Sequence, residues 1–272
     1  MKRDSGVILV NVLVTLAIGS AITVLMVVSQ DSLLDRTARA AAAVQAEALA
    51  IGAETSVKVA LQRDMIQAPQ TDHFGEPWAL TAQQDVALAT GQFSIVIEDA
   101  QSRYNLNNLA GTGIVQSQIF LRLVRDLGLP DIIANTIVSH LKRRGPVTDL
   151  ADIINLPAGA VDILWPHVIA LPFETGLNLN TANVVVMGAA LGNPAAARQL
   201  VQIRERAGFI TREDLAKIGV LATGRTDFTS QVFDITSVAQ VNDVTVTLRS
   251  RIVRRTGLGI AETLVISRQF GP

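Results

Sequence analysis

Three histidines, His73, His140 and His167, are the side chains best suited to proton transfer near neutral pH. They fall in separate stretches of the chain, with no nucleophile or second ligand at a working spacing. No H-E-x-x-H pair, glycine-rich phosphate loop or G-x-S-x-G elbow accompanies them. Asp149, Asp152 and Asp162 lie near one another in sequence, but a hard cation needs several convergent oxygens, and helix capping and solvation account for all three. Arg143, Arg144, Arg198, Arg204 and Arg206 could serve phosphates, but acidic neighbours offset them and the formal net charge is only -1. The 272 residues include no cysteine, which removes disulfides, thiolate metal sites and cysteine nucleophiles together. Catalytic readings of these residues are weak.

The element that dominates the pattern lies at the start. Val7 to Val28 is an uncharged, almost wholly apolar run behind a short head carrying Lys2, Arg3, Asp4, Ser5 and Gly6. Its length matches the ~20 residues that a helix needs to cross a bilayer core, and Lys2 and Arg3 mark the side that the positive-inside bias keeps cytoplasmic. A secretory signal peptide has a shorter apolar core and a small-residue cleavage site; here the run passes into Asp31, Arg36, Arg39 and an alanine-rich stretch of high helix propensity. The spacing predicts one helix over 7–65, a membrane span continued as a spine. Leu34, Ala41 and Ala48, interleaved with Thr37, Val44 and Ile51, recur every seven residues and are expected to pack along another helix or a sheet. Pro69, Gly75 and Pro77 end the spine.

Strands follow. Phe93, Ile95 and Ile97 alternate with Ser94, Val96 and Glu98, a pattern apolar enough for both faces to be covered. Val244, Val246, Leu248 and Ile252 alternate with Thr245, Thr247, Arg249 and Arg251 as in a strand with one solvated face. Arg255 to Gly259 offers a turn into a returning strand over Ile260 to Arg268, and Phe233 and Ile235 suggest another strand. Residues 104–225 between them read as helical and duplicated. One copy, about 104–170, has Asn105-Leu106-Asn107, then Leu127-Gly128-Leu129-Pro130, Gly145, Thr148 and Asp152; the other, about 178–225, has Asn178-Leu179-Asn180-Thr181, then Leu191-Gly192-Asn193-Pro194, Gly208, Thr211 and Asp214. In each, glycine allows positive φ and proline opens the next helix. Thr148 and Thr211 are expected N-caps, and the asparagines are expected to tie the loops that enter each copy.

Several motifs carry family resemblances. Gly6 followed by Val7-Ile8-Leu9-Val10-Asn11 resembles the leader of type IV pilins and pseudopilins. That resemblance implies cleavage between Gly6 and Val7 by a prepilin peptidase, with N-methylation of Val7. The fifth mature position, a glutamate in most of that class, is Asn11 here; lacking a carboxylate to attract a neighbour's amine, it suits a subunit at a fibre's end. The two helical copies resemble helix-hairpin-helix units of DNA receptors, except that each hairpin holds one glycine, Gly128 or Gly192, where DNA-binding versions use two. Tyr104-Asn105-Leu106-Asn107-Asn108-Leu109, with Leu177-Asn178-Leu179-Asn180-Thr181-Ala182 and the missing glutamate, is similar to the K family of type II secretion minor pseudopilins.

That resemblance implies an α+β, pilin-like fold: a long N-terminal helix packed on an antiparallel sheet, with a large all-α insertion. Residues 1–6 would be a cytoplasmic leader, 7–65 the transmembrane and spine helix, 66–103 with 226–272 the head, and 104–225 the inserted helical domain. It further implies a single-pass inner-membrane protein with its head in the periplasm, capping a pseudopilus and helping to start its assembly. Partners implied are other minor pseudopilins met through the N-terminal helix, the peptidase, the inner-membrane secretion machinery and membrane lipid. Calcium is implied by the family alone, and nucleic acid is not an expected partner. A membrane-anchored DNA receptor and a minor pilin of a type IV surface fibre are the other two readings of the same features.

Overall fold

Asp4–Gln67 forms one helix, α1, of 64 residues. No proline interrupts it, and in its apolar half the hydroxyls of Thr15, Ser20 and Thr23 donate to the carbonyls of Asn11, Leu16 and Gly19 at 2.8 to 2.9 Å. Each of these hydroxyls is thereby satisfied within its own helix. At ~1.5 Å per residue, such a helix is on the order of 95 Å long. The computed structural model describes residues 4–111, 113–220, 226–257 and 260–271. Lys2 and Arg3 of the leader and Leu258 and Gly259 of the expected turn lie outside the described residues.

After α1 the chain makes a short helix α2 (Pro77–Leu80) and strands β1 (Gln83–Leu88), β2 (Gly91–Asp99) and β3 (Tyr104–Asn105). Helices α3 (Ile114–Asp126), α4 (Asp131–Arg144) and α5 (Ala158–Leu164) lead to β4 (Val168–Ile169) and β5 (Leu177–Asn178). Then come α6 (Val184–Leu191), α7 (Pro194–Ala207), α8 (Arg212–Lys217), β6 (Thr226–Asp227), β7 (Val232–Val241), β8 (Val244–Gly257) and β9 (Ile260–Gly271). The main sheet is antiparallel, in the order β1-β2-β7-β8-β9; β3 with β4 and β5 with β6 are two-residue parallel pairs. The α+β plan of a long helix on an antiparallel sheet, with a helical cluster between β3 and β6, is therefore present. β1 was not expected, because Gln83-Gln84-Asp85 carries no strand pattern.

The upper half of α1 lies on the sheet, but by a face other than the expected seam. Leu34, Thr37, Ala41, Val44 and Ala48 are exposed and Ile51 is only half-buried, whereas Ala42, Ala46, Ala50, Ala53, Val57 and Leu61 are buried. Steps of three and four residues follow the 3.6-residue period of a straight helix packed on a surface, not the 3.5-residue period of a coiled coil. Small residues come first: Ala42, Ala46 and Ala50 meet Ala239, Val241 and Leu248. Val57 and Leu61 then enter a larger core of Trp78, Ile95, Ile97, Phe233, Ile235 and Ile252. The outer face of β2 is also open, with Val96 and Glu98 exposed, so the strand is covered on one side only.

The six helices α3–α8 bury one shared core, with Phe120, Leu123, Ile137, Leu141 and Leu164 from the first copy and Leu179, Met187, Leu200 and Ile210 from the second. Gly128 (φ 73°) and Gly192 (φ 65°) take the positive φ expected of them, and Pro194 opens α7. Thr211 caps α8 in a reciprocal capping box with Asp214. The corresponding cap in the first copy is Asp149, paired with Asp152, and not Thr148, whose N–H and hydroxyl instead donate to Asp152.

Phe233 is the hinge of the sheet core, edge-on to Trp78 (ring centroids 5.0 Å apart) and beneath the Arg254 guanidinium at 4.8 Å. Phe233→Ala is expected to destabilise the head by about 3–5 kcal/mol, measured by near-UV circular dichroism on the full chain in mild detergent. Leu88→Ala, at an exposed edge, is expected to stay within about 0.5 kcal/mol.

Candidate functional site

Two regions stand out: an apolar helix with nothing packed on it, and a buried polar junction that holds the helical cluster on the head. Every large apolar side chain from Leu9 to Val28 is at least half exposed, an arrangement that water does not tolerate and lipid does. This is one helix long and apolar enough to cross a membrane, compatible with a single-pass anchor. Gly6 and Val7 lie in its first turns. Asn11 is exposed on the same segment; its carbonyl receives the Thr15 hydroxyl, and its side-chain amide meets no partner among the described residues.

The asparagines gather the loops. Asn105 takes the N–H groups of Asn107 and Leu171 on Oδ1 and donates to the Phe173 carbonyl at 2.8 Å. Asn107 donates to the carbonyls of Val147 and Leu171, both at 2.8 Å, and accepts the Val147 N–H. Asn108 exchanges two bonds with the Thr175 backbone. Asn180 accepts the Ile210 N–H at 2.6 Å. Three residues within one four-residue stretch, Asn105, Asn107 and Asn108, thus satisfy the backbone of two remote loops, since a buried amide offers donors and acceptors in one plane.

Asn178 does something the sequence did not signal. Its Nδ2 donates to the Asp72 carbonyl (3.0 Å), to Asp99 Oδ2 (2.9 Å) and to Ser230 Oγ (2.9 Å), joining the second helical copy to the loop after α1, to the end of β2 and to the segment before β7. Asp99 is fully buried and also accepts the hydroxyls of Ser230 and Thr181 and the Gln101 N–H. Burial pushes its carboxyl above the usual range, against those hydrogen bonds.

Next to it is a buried charge cluster, also unforeseen. Arg254 of β8 is 5% exposed; its Nη1 pairs with Asp64 of α1 at 2.9 Å, its Nη2 with Asp72, and its Nε donates to the Ser230 carbonyl at 2.7 Å. Glu76, a few residues on, accepts the Trp78 indole N–H (2.8 Å), the Thr71 hydroxyl and the His73 N–H. Burial raises the Asp72 carboxyl to about 8, with Glu76 adding to it and Arg254 and the Ser230 N–H opposing. Asp64 Oδ1 has no hydrogen-bond partner among the described residues. The helix end, the loop and the third-from-edge to penultimate strands are thus tied through one guanidinium.

The residues that could do chemistry are placed apart. His73 stacks on Phe209 and faces Glu76, His167 accepts from Asn183, and His140 lies on α4. Arg204, a candidate for phosphate, is part-buried and donates to the carbonyls of Leu179 and Ala182, and Arg122 likewise serves Ala189. Asp149 and Asp152 are taken up by their capping box, and Asp162 is exposed on α5. Among the described residues, the carboxylates close enough to share a cation are Asp64, Asp72 and Glu76. Arg254 already fills the space between the first two, so calcium does not fit there without displacing it.

The cluster sets a pH dependence. Because the folded Asp72 holds its proton to about pH 8 while the unfolded one releases it near 3.8, the folded state binds more protons over that range. Its contribution is therefore fully present below the unfolded value and lost as pH rises through about 8. Asp72→Asn, which keeps an acceptor for Arg254 and Ser230, is expected to flatten the fall in melting temperature of the full chain between pH 5 and 9. An unchanged slope would assign the effect elsewhere.

No family model matches the sequence. The chain is 28% identical over 258 residues to type II secretion system protein K of Pseudomonas aeruginosa, covering 80% of this chain and 78% of that protein. It is 26% identical over 252 residues to type II secretion system protein K of Klebsiella pneumoniae, covering 76% and 77%. Its fold is similar to a chain in the crystal structure of the GspK-GspI-GspJ complex from the enterotoxigenic Escherichia coli type 2 secretion system, with a TM-score of 0.65 at 23% identity, over 87% of this chain and 99% of that one. The chain is thus similar to two type II secretion system K proteins along three quarters or more of its length, and it shares its fold with a chain of the GspK-GspI-GspJ complex.

Proposed function

We propose that this minor pseudopilin caps the tip of a periplasmic pseudopilus and helps to start its assembly, acting by packing rather than by catalysis. The observation that carries this is the division of α1. Its first half is an exposed apolar rod, while the helical cluster is held, through Asn178 and Asp72, beyond the opposite end of the same helix. A subunit so built can be anchored and flanked below, and its bulk stands where a further subunit would have to stack. Residues 104–225 are in this view an insertion in a head made of 66–103 and 226–272.

Other minor pseudopilins are the partners of the N-terminal helix; a relative in the E. coli complex assembles with GspI and GspJ. The exposed flank of Leu34, Ala41, Val44 and Ala48 supports this, because small residues let another helix approach closely. Asn11 supports a terminal position, since it offers no negative charge to a neighbour's amine. The inner membrane holds the helix and the periplasm the head. A prepilin peptidase cuts between Gly6 and Val7 and methylates Val7, and the inner-membrane secretion machinery takes up the product.

Co-expression of the full chain with a prepilin peptidase, followed by mass spectrometry, is expected to give a mature start at N-methylated Val7. Gly6→Lys is expected to retain Met1 while leaving the near-UV spectrum of the head unchanged. A cut beyond Ser29, or an intact Met1 in the unaltered chain, overturns the processing route and with it the pseudopilus role.

A further inference from the structure

The two helical copies close α4 and α7 alike, with Gly145 and Gly208 each at φ 88°. Counting back from that glycine, Arg144, Arg143 and Lys142 stand in the first copy where Ala207, Arg206 and Glu205 stand in the second. The second copy thereby mixes its charges, and its Arg204 is turned onto the carbonyls of Leu179 and Ala182. The first copy gathers three cations at one helix end, where the carbonyls of the last turn favour them. That preference accounts for their position but uses little of their hydrogen-bonding capacity. Arg143 Nε donates to the Ser139 carbonyl at 3.1 Å, while its two Nη groups have no partner among the described residues. The Arg144 side chain makes no hydrogen bond or ion pair among them.

A concavity opens beside them. Thr136, His140, Arg143 and Arg144 of α4, with Ile154 and Asn155 of the loop before α5, line a pocket of about 450 Å³, and no carboxylate among the described residues lines it. The acidic residues nearest in sequence are turned to their capping box. Asp152 Oδ2 takes the N–H groups of Thr148 and Asp149, both at 2.9 Å, and Asp149 Oδ1 takes that of Ala151 at 2.8 Å. Asp152 stays near enough to His140 for their charges to interact. Arg39, Arg125 and Arg255, also exposed, each face a carboxylate instead, from Asp243, Asp131 and Glu262. Unmatched cations lining a concavity focus their field and draw an anion more strongly than the same charges on a flat surface.

We propose that this pocket binds an acidic segment of a polypeptide, with a side-chain carboxylate held by the Arg143 and Arg144 guanidiniums and the adjoining main chain against Ile154 and Asn155. A guanidinium fork matches a carboxylate through two parallel hydrogen bonds. A lone small anion would leave most of the cavity unfilled and the half-exposed Ile154 uncovered. A peptide supplies an apolar contact for Ile154 and amide groups for the Asn155 side chain. A nucleic-acid duplex calls for many phosphate contacts along a basic stripe; the second copy does not extend one, and the formal net charge is -1. The site does not depend on the assembly role proposed above.

The test is calorimetric titration of the full chain in mild detergent with an acetylated, amidated peptide of alternating glutamate and leucine. Binding with a Kd below about 1 mM is expected, weakening as salt is added. Arg143→Gln combined with Arg144→Gln is expected to weaken it at least ~10-fold. Both side chains are exposed, so the near-UV spectrum is expected to stay unchanged. Ile154→Glu removes no cation but places a carboxylate in the pocket, and is expected to weaken binding to a similar degree. Arg206→Gln in the second copy is expected to leave it unchanged. No binding, equal binding of the same peptide with glutamine for glutamate, or equal weakening by Arg206→Gln overturns the proposal. So does displacement of the peptide by an equal concentration of inorganic phosphate, which makes the pocket a small-anion site. Phosphatidylglycerol vesicles or a DNA duplex bound through Arg143 and Arg144 in preference to the peptide reassign the pocket and likewise overturn it.

Discussion

The head is arranged around a guanidinium withdrawn from water. Arg254 meets Asp64 at the end of the long helix and Asp72 in the loop after it, rests on the ring of Phe233, and donates to Ser230 at the entry to β7. A buried charge left without its partner costs about 3–5 kcal/mol, so each element that supplies one has a single acceptable position. Such a pair is weak evidence for stability in itself, because desolvation offsets the attraction. Its stronger effect is to fix geometry: the helix cannot slide on the sheet, nor the loop lift from it, without exposing an unpaired ion to a low-dielectric interior.

From that fixed point the helical cluster is hung by amides. Asn178 reaches the same loop through the Asp72 carbonyl and the same sheet through Asp99, and Asn105, Asn107 and Asn108 draw the remaining loops together. Neutral side chains suit this task, since each satisfies several backbone groups without adding charge to an already crowded interior. Burial lifts both Asp72 and Asp99 toward their protonated forms, with Glu76 adding to it at Asp72 alone. The junction is thus rigid and pH-sensitive for the same reason.

One helix serves two solvents. Below Ala42 its surface is open to lipid or to other helices, and from Ala42 upward one stripe is closed by the sheet while the opposite flank stays free. The protein has its own sheet on only one side of α1, so the opposite flank is open to the lateral packing proposed above.

Much of the plan was legible in the sequence because it rests on local rules. The length and polarity of Val7 to Val28, the alternation along β7, β8 and β9, the glycines at positive φ and the capping box at Thr211 each depend on a residue's own conformational preferences or its near neighbours. The local part of the asparagine turn, in which Asn105 accepts the Asn107 N–H, was visible for the same reason, whereas its bonds to remote loops were not. What the sequence by itself determined, then, was a long apolar helix, an antiparallel sheet and a helical cluster entered by asparagine turns. Only the tertiary structure decided which stripe of α1 is buried, since alanine lines both the Leu34–Ala41–Ala48 flank and the Ala42–Ala46–Ala50 face. It alone decided that Asp64, Asp72 and Arg254, up to 190 residues apart, share one buried site, because such pairing is set by the folding of distant segments together and leaves no periodic trace in the chain.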